Sequence, residues 1–313
     1  MIAVAAALVL LASAAGAEDV ALSTDPSWQG TGPLVGVVGD SISWLTFEEL
    51  HSRLDGEWTT SVNATLGVRV VDQQAVAASY VADDPSAMVI ELGTNDVLRW
   101  STSWDGMWEL SQQALMLSHF DDVRCVVWVN VDEHLSSYWP DATRQAAGFN
   151  AGLRFWQSRD PDLRIADWNA ALLYLGRRNL LFSDDEHPNE GGQRVLAHLV
   201  GHELAGCRSP IGNLDAALPA PGAITVAGWA IDIDVPTDPI AVHLYVDGAW
   251  GGSTTADVVR PDVAAVYPDY GPVHGYEAVV PVPPGRHTVC AYAINVRVGT
   301  TNPLLRCLTA TVG

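Results

Sequence analysis

Hydrophobic residues in the first two thirds of the chain form short continuous runs that alternate with stretches of helical spacing. The apolar runs lie at residues 34–38, 87–92, 125–129 and, more weakly, 163–167, with a further short strand expected around 68–71. Helical spacing is found over residues 44–54, 107–120, 143–157 and 192–204. Because such alternation is typical of a parallel sheet covered on both faces by helices, we predict an α/β domain with about five strands.

The pattern changes after residue 208. Prolines and glycines predict a linker over residues 209–218. Beyond it, helical periodicity disappears, and short β-branched runs separated by turn residues lie at 224–230, 240–246, 276–282 and 288–294. The run Val246-Asp247-Gly248 is a typical hairpin signal. We therefore predict two domains, an α/β domain over residues 33–208 and a small antiparallel β-sandwich over residues 219–313.

The N-terminal segment, residues 1–17, is uncharged and apolar and ends in Ala15-Gly16-Ala17. It resembles the apolar core and cleavage site of a secretory signal peptide, although no basic residue precedes the apolar run. The run is short for a membrane span, which needs about 20 apolar residues. We therefore expect a secreted protein with no stable membrane insertion after cleavage, and an extended lead-in over residues 18–32.

Composition and charge narrow the range of partners. The 313 residues contain 16 Arg, no Lys and 37 Asp plus Glu, which gives a formal net charge of −21. This charge argues against nucleic acid or an anionic membrane surface as a partner. The hydrophobic fraction of 48% and the charged fraction of 17% are those of a globular chain and argue against disorder.

The four cysteines fit an oxidising compartment. They are Cys125, Cys207, Cys290 and Cys307, and none forms a C-x-x-C pair, which argues against zinc or thioredoxin chemistry. Their positions in the two domains favour the pairs Cys125–Cys207 and Cys290–Cys307. Buried free thiols are the alternative.

The first strand ends in Gly39-Asp40-Ser41, and a helical pattern follows at once. In an open parallel sheet, ligands bind outside the carboxyl ends of the strands, where this turn lies. The Ser41 N–H is also expected at a helix N-terminus, a position that favours developing negative charge. A serine that merely caps the helix is the alternative for this residue.

Two further hydrogen-bond donors are expected at the same edge of the sheet. Asn95 follows the second strand in Gly93-Thr94-Asn95-Asp96, and Gly67 lies between the two strands. Together, the Ser41 N–H, the Gly67 N–H and the Asn95 amide provide three donors, as a tetrahedral oxyanion requires. A plain turn glycine is the alternative for Gly67.

A histidine with a nearby carboxylate comes near the end of the α/β domain, in Asp184-Asp185-Glu186-His187. His187 is a possible general base near neutral pH, and Asp184 is placed to hold its tautomer. Serine is a weak nucleophile until such a base takes its proton. Asp185 is a possible alternative orienting residue, and a surface loop is the alternative for the whole motif.

These motifs occur in the order of the four blocks of the SGNH (GDSL-type) hydrolases, which the chain resembles over residues 33–205. The resemblance implies a flavodoxin-like three-layer α/β/α domain that needs neither cofactor nor metal. It implies Ser41 as nucleophile, His187 as base and Asp184 as its orienting acid. It implies an oxyanion hole made by Ser41, Gly67 and Asn95. Residues 91–95 and 167–168 resemble SGNH domains of extracytoplasmic O-acetyl-transfer proteins.

The predicted function is that of a secreted serine esterase that forms an acyl-enzyme. Its substrate is an ester-bearing small molecule or an acylated polysaccharide, with O-acetyl or another short acyl group. Two alternatives stay open: an O-acyltransferase that modifies a cell-wall or polysaccharide hydroxyl, and a non-catalytic polymer-binding protein. The loop over residues 97–106, with Trp100 and Trp104, is expected near the substrate pocket.

Acidic clusters offer possible cation sites. Asp184, Asp185 and Glu186 present oxygen ligands, but they adjoin the required His187. In the second domain, Asp232-Ile233-Asp234 with Asp238 is a possible Ca²⁺ site, but no glycine-centred loop with a downstream glutamate follows. A solvated turn is therefore favoured there, and no metal is predicted at either place.

The C-terminal sequence resembles β-sandwich modules of secreted actinobacterial proteins. Its possible roles are contact with a cell wall or glycan through residues 219–313, and structural support. The aromatic residues that would stack on sugars if exposed are Trp229, Trp250, Tyr267 and Tyr270. Buried aromatic residues, and hence a structural role, are favoured.

Overall fold

A computed structural model describes residues 22–98, 105–135, 138, 140–296, 299 and 301–313. The chain divides into two compact units, Met1–Leu204 and Ala205–Gly313. The expected signal peptide, and Trp100 and Trp104 of the expected pocket loop, lie outside the described residues. Among the helices of the described residues, none combines enough length and hydrophobicity to cross a membrane.

The first unit is built on a six-stranded, mostly parallel sheet. Its strands are β1 Gln29–Gly30, β2 Leu34–Gly39, β3 Thr59–Ala64, β4 Ala87–Glu91, β5 Val126–Val129 and β6 Leu163–Ala166. They lie in the order β1-β3-β2-β4-β5-β6, and only β1 runs antiparallel to its neighbour. The parallel strands thus follow the chain order 2-1-3-4-5 of flavodoxin-like folds, which confirms the predicted fold class.

Helices lie between the parallel strands and after the last of them along the chain. They are α1 Ser41–Leu54, α2 Gln74–Tyr80, α3 Thr94–Leu98, α4 Gly106–Ser118, α5 Ala142–Gln157, α6 Trp168–Leu175, α7 Arg177–Leu180 and α8 Glu190–Cys207. Every residue of β4 and β5 is buried, as expected for strands covered on both faces. The four predicted helical stretches correspond to α1, α4, α5 and α8 and are confirmed.

The strand expected at residues 68–71 is wrong. The chain forms a 3₁₀ helix at Val70–Gln73, and the fifth parallel strand is β3. The Arg69 N–H donates to the Asp72 carboxylate at 3.0 Å, and the Val70 N–H donates to the Asp96 carboxylate at 3.1 Å. These two donors are therefore not available to a sheet. Strand β3 was missed because two of its four buried residues, Thr60 and Ser61, are polar, so that the strand forms no apolar run.

The second unit is an antiparallel β-sandwich, as predicted. Its strands are β7 Ile211–Ala220, β8 Ala223–Ile231, β9 Ala241–Val246, β10 Ala249–Thr255, β11 Val258–Val259, β12 Val273–Pro281, β13 Gly285–Ala293 and β14 Leu304–Val312. They form two four-stranded sheets, β10-β9-β13-β14 and β11-β12-β8-β7. One hydrophobic cluster contains residues of both sheets, among them Val226 and Leu244. Between β11 and β12 lie a helix, α9 Pro261–Val266, and a 3₁₀ turn, Pro268–Tyr270.

The linker expected over residues 209–218 is instead mostly strand. Strand β7 begins at Ile211 and pairs with β8 along its length, from Ile211 opposite Ile231 to Ala220 opposite Ala223. Pro219 is accommodated because β7 is an edge strand of its sheet, where a residue without an N–H is tolerated. The prolines and glycines of this segment therefore belong to an edge strand and its turn, and do not mark an interdomain linker.

Turn and disulfide predictions for the second unit agree with the structure. Asp247 and Gly248 have φ values of +50° and +81° and join β9 to β10 as a two-residue hairpin. Cys290 and Cys307 lie opposite each other on β13 and β14 and form the predicted disulfide. Cys125 and Cys207 are disulfide-bonded as well, so none of the four cysteines is a free thiol.

Candidate active site

Ser41 is the first residue of α1 and follows β2 by a single residue, Asp40. Asp40 caps the helix, because its Oδ1 accepts the Ile42 N–H at 2.9 Å. Both side chains are buried, with Ser41 4% exposed. The strand end and the helix cap together place Ser41 at the carboxyl edge of the sheet, as the sequence predicts.

His187 and Asp184 form a hydrogen-bonded chain with Ser41. The His187 Nε2 atom lies 3.0 Å from Ser41 Oγ, and the His187 Nδ1 atom lies 2.8 Å from Asp184 Oδ2. The backbone N–H of His187 also donates to Asp184 Oδ1 at 3.1 Å. The structure thus brings together three residues that lie up to 146 positions apart in the sequence.

The loop that carries His187 is closed at its base. Leu181 and Pro188 form an antiparallel bridge, and the Phe182 N–H donates to the His187 carbonyl at 2.8 Å. Asn189 Oδ1 accepts the N–H groups of Gly191 and Gly192 and so satisfies the first turn of α8. A side chain at Gly192 would collide with the Leu180 carbonyl, so this position requires glycine.

Asp185, the alternative orienting residue, makes different contacts. Its carboxylate lies 3.2 Å from Arg177 Nη2, and the same nitrogen donates to the Asp185 carbonyl at 2.9 Å. Arg177 also forms an ion pair with the buried Asp132. Asp184, not Asp185, therefore contacts the His187 ring.

Tyr138 and Glu186 complete the surroundings of the histidine loop, and the sequence analysis did not single out either in this role. The Tyr138 hydroxyl lies 2.7 Å from both the Asp184 carbonyl and Glu186 Oε2. Glu186 Oε2 lies 4.0 Å from His187 Nδ1. Burial raises the pKa of Glu186. Only the proximity of Glu186 to His187 in the sequence was a signal for this contact; Tyr138 gave none.

Asn95 and Gly67 lie at the same edge of the sheet as Ser41. The Asn95 Nδ2 donates to Asp40 Oδ2 at 2.9 Å, so Asn95 is tied to the residue that precedes Ser41. Gly67 follows β3, whose last residue pairs with Gly39 at the end of β2. Its φ of +69° is the left-handed conformation that favours glycine. The oxyanion role of these residues stays a prediction.

The electrostatics of the His187–Asp184 pair favour a charged imidazolium. Burial lowers the pKa of His187, but the hydrogen bond to Asp184 and the negative charges of Glu186, Asp184 and Asp40 outweigh it, so the pKa is raised. Burial also raises the pKa of Asp184, but the hydrogen bonds and charge of His187 outweigh it, so that pKa is lowered. Asp184 therefore stays ionised while it orients the ring.

A second carboxyl, that of Glu91, lies beneath the Ser41 turn. The sequence analysis mentioned Glu91 only within residues 91–95, for their resemblance to SGNH domains of O-acetyl-transfer proteins. Glu91 is the last residue of β4, and its Oε2 accepts the Ser43 N–H at 2.9 Å and the Ser43 hydroxyl at 3.0 Å. Burial raises the pKa of Asp40 to about 6 and that of Glu91 well above its usual value. The two neighbouring carboxyls therefore hold a proton to a higher pH than isolated carboxyls do.

Asp96 and Glu109 form another buried acidic pair, next to Asn95. Asp96 accepts the Val70 N–H, and burial raises its pKa well above the usual value. Burial also raises the pKa of Glu109, to about 7. This pair connects the start of α3 with α4.

The acidic clusters considered as cation sites make protein contacts. Asp232 Oδ1 accepts the Asp234 N–H at 2.9 Å, and its Oδ2 accepts the Val296 N–H at 2.7 Å. Asp234 forms an ion pair with Arg208. The expected solvated turn is therefore wrong, because Asp232 and Asp234 are buried. Within the described ranges, no group of three or more His, Cys, Asp or Glu residues is arranged to hold a metal ion.

Comparison with known proteins identifies similar folds. No family model matches the chain, and no curated protein matches it significantly. The C-terminal catalytic domain of peptidoglycan O-acetyltransferase A from Streptococcus pneumoniae is similar, at 16% identity and a TM-score of 0.46, over 56% of this chain and 94% of that chain.

Two further solved structures have the same TM-score of 0.46. A catalytic mutant of an acetylxylan esterase from Geobacillus stearothermophilus is 17% identical, over 56% of this chain and 95% of its own. A member of the lipolytic G-D-S-L family from Veillonella parvula is 15% identical, over 54% of this chain and 96% of its own. With TM-scores below 0.5, none of these similarities decides what this chain does.

Proposed function

We propose that the protein is a serine esterase that cleaves carboxylic esters through an acyl-enzyme at Ser41. The observation that carries the proposal is the hydrogen-bonded chain Ser41–His187–Asp184, with distances of 3.0 and 2.8 Å. Nucleophile, base and orienting acid are joined within hydrogen-bond reach, which is the geometric requirement for activating a serine hydroxyl.

The proposed reaction proceeds in two halves. His187 Nε2 accepts the Ser41 Oγ proton as Oγ attacks the ester carbonyl, while the Asp184 carboxylate accepts the Nδ1–H. The resulting oxyanion is stabilised by the N–H of Ser41 and by the donors of Gly67 and Asn95. His187 then protonates the leaving alcohol, and water, deprotonated by the same ring, hydrolyses the acyl-enzyme. No step requires a metal or a cofactor.

The proposed substrates are esters with short acyl groups, carried by a small molecule or a polysaccharide. The proposed location is outside the cytoplasm. Residues 1–17 resemble an export signal, and disulfide bonds persist in oxidising compartments. A panel of nitrophenyl esters from acetyl to palmitoyl, together with acetylated polysaccharides, tests the acyl length. A maximum at acetyl supports this substrate class, and a maximum at long chains contradicts it.

The decisive experiment compares the native protein with Ser41→Ala on nitrophenyl acetate. We expect Ser41→Ala to lose at least about 10³-fold in kcat. The matched control is Ser79→Ala, which changes an exposed serine whose hydroxyl donates to the Val76 carbonyl of its own helix, and it is expected to keep the native rate.

Covalent labelling separates the proposal from its alternatives. A fluorophosphonate is expected to modify the native protein at Ser41, identified by mass spectrometry of the labelled peptide. Native turnover by Ser41→Ala, or a label on another serine, contradicts the assignment. If the unlabelled protein passes the acetyl group of nitrophenyl acetate to an added sugar acceptor in preference to water, and Ser41→Ala does not, the protein is a transferase and hydrolysis is overturned.

A further inference from the structure

The outer face of the sheet β10-β9-β13-β14 carries aromatic side chains. Along β9, Val242 and Leu244 point into the core of the sandwich, which leaves His243 and Tyr245 on the opposite face. Along β13, Ala291 belongs to the core, and the neighbouring Tyr292 shares the outer face. Strand alternation therefore brings these rings together on one surface.

Four rings form a contiguous group, which we call the aromatic row: His243, Tyr245, Trp250 and Tyr292. The Trp250 ring contacts His243 and Tyr245 edge-on, with centroids 4.8 and 5.6 Å apart, and Tyr245 contacts Tyr292 at 5.4 Å. Trp250 is nevertheless 58% exposed. The rings are thus held in place by one another while part of their surface faces solvent.

A cavity of about 400 Å³ adjoins the aromatic row. Its lining contains no Asp, Glu or Arg among the described residues, although the whole chain has a net charge of −21. Polar atoms are interleaved with the rings, because the lining includes His243, Tyr245, Tyr292 and Asn302. The Asn302 Oδ1 accepts the Asn295 N–H at 2.8 Å, which orients this amide.

We propose that this cavity and the aromatic row bind a neutral polysaccharide. A sugar ring offers an apolar face of C–H groups, which packs on aromatic rings, and a rim of hydroxyls, which exchange hydrogen bonds with phenol, imidazole and amide groups. The cavity volume lies within the usual range of ligand sites. An uncharged lining in an acidic protein disfavours anionic polymers. The sequence analysis considered Trp229, Tyr267 and Tyr270 as well, but these rings are half-buried and Trp229 packs against Tyr267.

The test uses the full chain with Ser41→Ala as background, so that its outcome does not depend on turnover or on the proposed esterase activity. Binding is measured by retardation in gels that contain arabinoxylan or mixed-linkage β-glucan, and by calorimetry with xylohexaose. Polygalacturonate serves as the anionic control. We expect retardation by at least one neutral polymer and none by polygalacturonate.

Variants locate the site. Trp250→Ala and Tyr245→Ala are each expected to raise the dissociation constant at least about tenfold, since aromatic rings that become buried on binding dominate the affinity of such sites. Trp250→Phe keeps a ring and is expected to retain part of the affinity. Tyr174→Ala, which removes a 90% exposed ring from the first unit, is expected to change nothing.

Three results would overturn the proposal: no retardation by either neutral polymer, equal affinity of Trp250→Ala, Tyr245→Ala and the background protein, or retardation by polygalacturonate that equals that by the neutral polymers. Equal thermal unfolding midpoints of the variants and the background ensure that lost binding reports on the site. If Trp250→Ala unfolds, Trp250→Phe and Tyr245→Ala decide the outcome.

Discussion

At the scale of single residues, the protonation of His187 controls when Ser41 can lose its proton. Only the neutral ring accepts a proton, and the pKa of His187 is raised above its ordinary value of 6.5 by Asp184 and the neighbouring carboxylates in spite of burial. We therefore expect kcat/KM for nitrophenyl acetate to rise with pH through a midpoint above 6.5.

Exchange of the orienting acid tests this assignment. Asp184→Asn removes the negative charge beside the ring, so we expect the midpoint to fall and kcat to drop by up to about 10⁴-fold. Asp185→Asn is the matched control, because Asp185 contacts Arg177 and not the ring. A pH–rate profile of both variants checks the prediction. A larger loss in Asp185→Asn than in Asp184→Asn would contradict it.

The contribution of the Asn95 side-chain amide to kcat is also measurable. Its Nδ2 has two hydrogens, and one of them is committed to Asp40 Oδ2. Removal of an oxyanion donor typically costs about 10²- to 10³-fold in kcat, so we expect that loss in Asn95→Ala with KM little changed. Steady-state kinetics check it, and an equal change in KM and none in kcat would count against the oxyanion role.

At the scale of elements, Glu91 joins the end of β4 to the beginning of α1. Its carboxylate accepts both the N–H and the hydroxyl of Ser43, at 2.9 and 3.0 Å. Glu91 is only 5% exposed, so water cannot readily replace it as the acceptor. Glu91→Leu leaves these buried donors without an acceptor, and we expect a loss of about 1–3 kcal/mol in the free energy of unfolding.

Glu91→Gln is the matched control, because it keeps the size of the side chain and its amide oxygen still accepts from Ser43. Urea unfolding of both variants measures the difference. We expect Glu91→Gln to lie within about 1 kcal/mol of the native protein. If the two variants are equally unstable, the Ser43 contacts do not account for the effect.

Elements with a strong apolar pattern could be predicted, whereas those stabilised by distant partners could not. Helix α5 was expected from its spacing, and strands β2 and β4 from their apolar runs. Strand β3 was missed because Thr60 and Ser61 are buried although they are polar, and no apolar run therefore marks the strand in the sequence. The 3₁₀ helix at Val70–Gln73 escaped because its first N–H finds an acceptor in Asp96, 26 residues away.

The candidate site follows the same rule. Ser41, Asn95 and His187 were recognisable because each lies in a local motif beside a strand or a helix. Tyr138 and Glu186 contact each other across 48 positions, and no local pattern predicts such a pair. Their contact depends on where two loops end in space, which hydrophobic periodicity does not specify.

At the scale of the whole molecule, two buried acidic pairs link stability to pH. Burial raises the pKa of Asp40 to about 6 and that of Glu109 to about 7, and it also raises the pKa values of their partners Glu91 and Asp96 well above the usual range. Between the unfolded pKa values near 4 and these folded values, the native state holds more protons than the unfolded state. Stability is therefore expected to increase as the pH falls from 8 towards 5.5.

Urea midpoints between pH 5 and pH 8 check this expectation. Glu109→Gln removes one titrating group and is expected to flatten the dependence above pH 6, while the exposed Glu277→Gln on β12 serves as a matched control and leaves it unchanged. The lowered pKa of Asp184 acts in the opposite direction only below its unfolded value, outside this window. The burial-lowered pKa of His51 opposes the trend below pH 6.5, but it is a single group against the four carboxyls. Stability that rises steadily from pH 5 to pH 8 would refute the prediction.

Asp40 has a consequence for how this protein is able to evolve. An ordinary helix cap tolerates Asp, Asn, Ser or Thr, because one oxygen suffices. Here one oxygen holds the Ile42 N–H and the other holds the Asn95 amide. An asparagine at this position has one side-chain oxygen, and its NH₂ group would face either the Ile42 N–H or the Asn95 amide, donor against donor. Serine or threonine would also offer a single oxygen for the two donors. Substitutions that are usual at a helix N-cap are therefore not expected to be tolerated at position 40.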